Sequence, residues 1–200
     1  MKRIILTLLA IMTCLGVFAQ QKMHKATFWG AKSDGETDNT STIQRDIDQI
    51  SAEGGGTLGF YVGRYVTGSF VLKSNVSIKL GNGAVLVAAP DIYAYRGRKA
   101  LITAEEGAEN ISIIGPGVIE GSKEGLLESL ESQIKKGYLP EETAVPALVD
   151  LSGATNVEVS RVKFWQPAAE WLVGCEGSEN VVFIDDTCIT AEGKKVKIVK

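Results

Sequence analysis

What this chain lacks narrows it first. It has one histidine, His24, and no clustered basic footprint: 21 Lys and Arg stand against 24 Asp and Glu, for a formal net charge of −3. Nucleic-acid binders concentrate positive charge on one face, so this balance argues against that class. Long apolar runs are also scarce. The one that stands out, Ile4 to Phe18 behind Lys2 and Arg3, is too short for a membrane span and is flanked like a secretory leader. Val17-Phe18-Ala19 supplies the small residue at its end, so cleavage is expected near Ala19 or Gln20. Losing Lys2 and Arg3 moves the net charge from −3 to −5. The remaining chain, about 180 residues, is long enough for one real core.

Cysteine is sparse as well, with three in the chain. Cys14 sits inside the leader between Thr13 and Leu15, a context that fits lipidation poorly. Cys175 and Cys188 would meet an oxidising compartment after export, and their spacing leaves a bridge between them open without demanding it. The acid pairs Glu105-Glu106 and Glu141-Glu142 do not gather the six or more oxygens that calcium wants. No metal and no cofactor are expected.

Against these absences stands a recurring phrase. An Asn precedes two β-branched or aromatic residues that flank one variable position: Asn75-Val76-Ser77-Ile78, Asn110-Ile111-Ser112-Ile113, Asn156-Val157-Glu158-Val159 and Asn180-Val181-Val182-Phe183. Alternation of this kind marks a strand with one buried face. Recurrence at long, uneven intervals marks coils of a solenoid, which bury their apolar face by stacking. Short strand signals fill the spaces between: Thr57 to Val62, Tyr65 to Thr67, Ser69 to Lys73, Ala84 to Ala88, Ala100 to Ala104 and Ala147 to Leu151. Glycines at 59, 63, 68, 81 and 83 punctuate them.

Ahead of the strands, Phe28 to Gly35 reads as a short strand running into a tight turn at Asp34-Gly35. Asp38-Asn39 then caps a helix whose Ile43, Ile47 and Ile50 share one face, suited to plugging the open end of the stacked core. A second helix is expected within Ser122 to Tyr138, where Leu126, Leu127, Leu130 and Ile134 have helical spacing. It is an insertion in the solenoid. Near the end, lysines alternate with Val196, Ile198 and Val199, a pattern that discourages further strand pairing. A crude stop, an early end of the reading frame and an end-to-end partner all remain open for this tail.

The run Gly30-Ala31-Lys32-Ser33-Asp34-Gly35-Glu36-Thr37-Asp38-Asn39-Thr40 resembles the opening motif of the pectin-lyase-like superfamily. Ile43-Gln44, Gly54-Gly55-Gly56-Thr57, Tyr65-Val66-Thr67-Gly68 and Leu72-Lys73-Ser74-Asn75-Val76 follow in that family's order. Gly115-Pro116-Gly117-Val118-Ile119-Glu120-Gly121 and Phe164-Trp165-Gln166-Pro167 agree with it. Within the superfamily the chain is most similar to the N-terminal part of glycoside hydrolase family 28, the polygalacturonases and rhamnogalacturonases. The resemblance implies an all-β fold: a right-handed parallel β-helix with an N-terminal capping α-helix and one short helical insertion. Residues 1–20 would be the leader and 21–200 a single domain, truncated relative to the family. It also implies a secreted or periplasmic protein that handles pectic or other uronate-containing polysaccharide, with no membrane contact after leader cleavage.

The family carries its acid–base chemistry on an Asn-Thr-Asp motif, paired aspartates after a glycine, a Gly-His-Gly and an Arg-x-Lys. Inverting hydrolysis needs one carboxylic acid for the leaving oxygen and a second carboxylate for the water. None of these motifs occurs where the family places it, and His24 lies upstream of the opening motif. Asp185-Asp186 echoes the paired aspartates but sits out of register, as a polar turn between strands would. No catalytic residue is therefore expected. Tyr93, Tyr95, Trp165 and Trp171 are candidates to stack on sugar rings, and Arg96, Arg98 and Lys99 to meet a uronate carboxylate. The candidate sugar contacts are Tyr93, Tyr95, Arg96, Arg98 and Trp165.

Overall fold

A computed structural model describes residues 22–185 and the strands Thr187–Ile189 and Lys197–Val199. The expected leader, Asp186 and the side chain of Cys188 lie outside the described residues. Three parallel sheets wrap one core. Sheet A holds β1 (Met23–Lys25), β3 (Gly56–Phe60), β6 (Val76–Leu80), β9 (Glu109–Ile114), β12 (Thr155–Ser160) and β15 (Glu179–Ile184). Sheet B holds β2 (Asp34–Asp38), β4 (Gly63–Thr67), β7 (Ala84–Ala88), β10 (Val118–Glu120), β13 (Lys163–Trp165) and β16 (Thr187–Ile189). Sheet C holds β5 (Phe70–Leu72), β8 (Ala100–Ala104), β11 (Ala147–Asp150), β14 (Trp171–Gly174) and β17 (Lys197–Val199). The chain visits A, B and C in turn, so the fold is the right-handed parallel β-helix that the sequence led us to expect.

The capping helix α1 (Thr40–Ala52) buries Ile43, Ile47 and Ile50 completely. It stands where the first coil would carry a sheet C strand, and Gln44 imitates that strand. Its Oε1 accepts from the Val71 N–H at 2.7 Å, and its Nε2 donates to the Val71 carbonyl at 3.1 Å. Gln44→Ala strands both backbone groups at the edge of β5, a loss of about 1–3 kcal/mol, read as a lower urea midpoint at unchanged slope.

The asparagine phrases open successive strands of sheet A. Asn75, Asn110, Asn156 and Asn180 all have positive φ, which a short amide side chain tolerates better than most. Each of the last three then donates from Nδ2 to the Oδ1 of the Asn one coil earlier, at 2.9, 2.9 and 3.0 Å. The apolar partners of the phrase point inward: Val76, Ile78, Ile111, Ile113, Val157 and Val159 are all buried. Successive Asn are 35, 46 and 24 residues apart, yet the strands keep one register. The extra length goes to a single corner, between sheets B and C, where residues 89–99 and 121–146 leave the coil. The second excursion contains the expected inserted helix, α2 (Lys123–Lys135), with Leu126 and Leu130 buried.

The opening motif proves to be scaffold. Asn39 is 1% exposed and uses its whole amide: Nδ2 donates to the carbonyls of Lys32, Thr37 and Val66, and Oδ1 accepts from the Lys32 N–H. Asp38 accepts from the Thr40 N–H at 2.8 Å, satisfying an orphan donor of the first helical turn. The Thr37 hydroxyl and the backbone N–H groups of Glu36 and Thr37 hold the Asp34 carboxyl down at about 2. One local expectation is corrected: Ala26–Trp29 forms a single 3-10 turn, so Phe28 and Trp29 are not strand residues. Ala26 is buried in the core, the Ala31 N–H returns to its carbonyl at 3.0 Å, and Trp29 packs on His24. Those tertiary contacts outweigh the β preference of the aromatic pair.

Candidate functional site

The two corner excursions build the walls of a groove over the outer face of sheet C. In the first, Asp91 accepts from the Tyr93 N–H and opens a 3-10 turn, Ile92–Tyr95. Ile92 and Tyr95 drop into the core, which leaves Tyr93, Arg96 and Lys99 exposed and Arg98 half-buried. Arg96 adopts positive φ at the end of that turn. The Ser69 hydroxyl holds the loop's far end through the Ala100 carbonyl at 2.7 Å. Helix α2 closes over the same loop: the Ser129 hydroxyl accepts from the Ile92 N–H, and Tyr93 reaches Gln133 at 3.5 Å.

Three cavities run along this face. The middle one, about 300 Å³, lies between the first loop and residues 139–146 and is lined by Tyr93, Arg96, Arg98, Lys99, Leu139 and Thr143 among others. Arg96 and Arg98 also line a cavity of about 260 Å³ toward α1, where Gln44, Asp48, Lys73 and Glu105 face them. Lys99 and Ala144 are shared with a third, about 370 Å³, bounded by Asp150, Ser152, Trp171, Gly174 and Glu176. Shared walls make the three one groove. Asp48 is already paired with Lys73 at 3.0 Å. Arg96, Arg98 and Lys99 make no ion pair among the described residues. Three uncompensated cations midway along a groove favour an anionic ligand, and arginine can fork onto a carboxylate.

The candidate sugar contacts separate. Tyr93, Arg96 and Arg98 come together on the groove. Tyr95 lines the same cavity but is 1% exposed, its phenol pushed up by burial. Trp165 is 38% exposed but belongs to sheet B. There it sits beside Glu120 in register, and the Glu120 carboxylate is held by Arg64 at 2.8 Å. Trp171 does line the groove. Asp150, Gly174 and Glu176 escape a reading of the sequence, although the asparagines could have found two of them. Asp150 and Gly174 stand at equal distances ahead of Asn156 and Asn180, and the structure pairs them across β11 and β14.

Asp185 is exposed with φ 52° in the turn after β15, the place Arg161 takes one coil earlier. His24 is buried at the opposite end under the cap, its ring 4.5 Å from that of Trp29. Cys175 is a buried free thiol, pushed up to about 11 by burial and then by the charge of Asp150. Among the described residues no group of His, Cys, Asp and Glu could hold a metal ion. No helix among them is long and apolar enough to cross a membrane.

No family model matches the chain. It is 29% identical over 216 residues to the exo-poly-α-D-galacturonosidase of Dickeya chrysanthemi, covering 82% of this chain and 35% of that protein. A chain from Parabacteroides merdae assigned as a glycosyl hydrolase superposes with TM-score 0.73 and 33% identity, over 90% of this chain and 100% of that one. A hyperthermoactive exopolygalacturonase from Thermotoga maritima superposes with TM-score 0.68 and 25% identity, over 84% and 47%. The chain therefore belongs to the pectin-lyase-like superfamily and is most similar to the N-terminal part of the glycoside hydrolase family 28 polygalacturonases. It spans 16% to 35% of the length of the curated relatives that it matches.

Proposed function

We propose that this chain is an exported, polygalacturonase-like protein of pectic polysaccharide metabolism that binds uronate-containing chains in the groove over sheet C without hydrolysing them on its own. The observation that carries the reading is the Arg96, Arg98 and Lys99 trio, which lines the groove with no carboxylate partner among the described residues. Support for absent turnover comes from the family's acid–base motifs, none of which stands in its family place in this sequence. The leader-like first twenty residues support export. An end-to-end assembly that continues the sheets is a further part of this proposal, motivated by the edge of β15, the terminal strand of sheet A among the described residues.

Purified mature chain should release no reducing ends from polygalacturonate or rhamnogalacturonan, while binding both measurably by calorimetry. The Arg96→Ala/Arg98→Ala double variant should bind each at least about tenfold more weakly, since a charge-assisted contact is worth about 1.5–3 kcal/mol. It should melt within a few degrees of the parent, because neither side chain is in the core. Turnover that disappears in Asp185→Ala would overturn the non-hydrolytic reading. Undiminished binding by the double variant would remove the groove from the argument.

A further inference from the structure

The front end of the solenoid hides a carboxylate. Asp46 lies on the face of α1 that carries Ile43, Ile47 and Ile50 into the core, and it is 0% exposed. Its Oδ1 accepts from Nε and Nη2 of Arg45 at 3.2 and 2.8 Å, whereas its Oδ2 has no hydrogen-bond partner among the described residues. Arg45 is more than half exposed and also donates to the Trp29 carbonyl, so one guanidinium ties α1 to the 3-10 turn. Trp29 in turn packs on His24 of β1, which is buried and whose Nε2 likewise has no partner among the described residues. The layer is close-packed, since a Cβ on Gly56 would stand 3.2 Å from Ile50 and 3.6 Å from His24. Oδ2 is out of reach of water while this layer is closed.

Burial raises the Asp46 carboxyl above the ordinary carboxylate range, and Arg45 and then His24 pull against that rise. Other charges near it are already engaged or absent. The 3-10 turn, β3 and β5, which pack on α1, carry no titratable side chain, and Lys79 of β6 is exposed. Lys22 is paired with Glu53 and Asp48 with Lys73, each at 3.0 Å, and the Lys25 ammonium lies over the rings of Phe28 and Tyr61. Arg45 and His24 are left to meet the carboxylate, and Arg45 reaches one of its two oxygens. A charge so placed is costly to bury, and a proton on Asp46 removes it.

We propose that Asp46 makes the front cap a pH-responsive seal, in which α1, the 3-10 turn and β1 close tightest when Asp46 is protonated and loosen when it is ionised. The seal belongs to the front end and stands apart from the groove over sheet C. The folded state holds this proton more tightly than the unfolded chain does. Its contribution to stability is therefore complete below the unfolded carboxylate value and is lost as pH rises through the higher folded one. Asp34 and Glu53, whose carboxyls are lowered, act in the opposite sense and below about pH 4.5. Urea denaturation and hydrogen exchange of the full mature chain between about pH 5 and about pH 8 test the seal. The urea midpoint should rise on acidification across that range. Over the same range residues 23–29 should gain at least about threefold in protection relative to β9 and β12. The isosteric variant Asp46→Asn should raise the midpoint at the alkaline end and flatten both trends, a gain that damaged folding does not produce. His24→Gln should keep both trends. A parent whose midpoint is independent of pH overturns the proposal. Trends lost in His24→Gln but kept in Asp46→Asn overturn it too, since the imidazole would then be their source. So does a lower alkaline midpoint for Asp46→Asn with the trends unchanged, which would leave Asp46 as an ordinary partner of Arg45.

Discussion

Gly115→Ala is expected to leave little folded protein, with a loss of about 3 kcal/mol or more, at or above the top of the usual range for overpacking. Gly115 follows β9 at the corner between sheets A and B. Its N–H donates to the Ser160 carbonyl at 2.7 Å, joining it to the turn of the next coil. A Cβ there would lie 1.9 Å from the Arg161 carbonyl oxygen and 2.4 Å from its carbon. Both atoms are backbone, so no side chain can rotate away. The two turns must separate, and with them the pairing of β9 with β12. Gly153→Ala provides the comparison: φ is 73° but nothing stands within 4 Å, so only the conformational cost of about 1–2 kcal/mol applies. Urea denaturation of both variants measures the difference. Equal midpoints would show that the coils can part at that corner without cost.

Asn39→Ala should cost about 3 kcal/mol, the second large effect. The substitution takes the amide from the Lys32 and Thr37 carbonyls and the Lys32 N–H at a position that is 1% exposed, while the Val66 carbonyl keeps only the backbone N–H of residue 39. Asn110→Ala, on the ladder, should cost only about 1 kcal/mol beyond its backbone strain, because that amide bonds other exposed asparagines and water can substitute. Thermal melts followed by circular dichroism should place Asn39→Ala well below Asn110→Ala. The reverse order would mean that the ladder, and not the buried turn, secures the front of the solenoid.

Residues whose role is local are legible in the amino-acid sequence. The strands Val76–Leu80, Ala84–Ala88 and Ala100–Ala104 lie where short apolar runs and bounding glycines put them, because a buried strand writes itself into a few successive side chains. Ile43, Ile47 and Ile50 mark the cap for the same reason. Tyr95 misleads because the charged residues around it describe the loop's surface, whereas one turn of 3-10 helix turns that ring into the core. The groove's second cavity is harder still. Lys99, Asp150 and the pair Trp171 and Glu176 come from three successive coils and meet only through stacking, so no short window along the chain contains them together. The opening motif is legible as a signature and opaque as chemistry, since its Asp and Asn serve the turn itself.

The counterfeit strand supplied by Gln44 gives the molecule a direction. With both polar groups of Val71 already engaged by a helix, a second copy approaching head-to-tail finds the front of sheet C occupied. The far end carries no such barrier on sheet A, where β15 is the terminal strand among the described residues. Open-ended stacking of copies therefore finds no free front edge on sheet C.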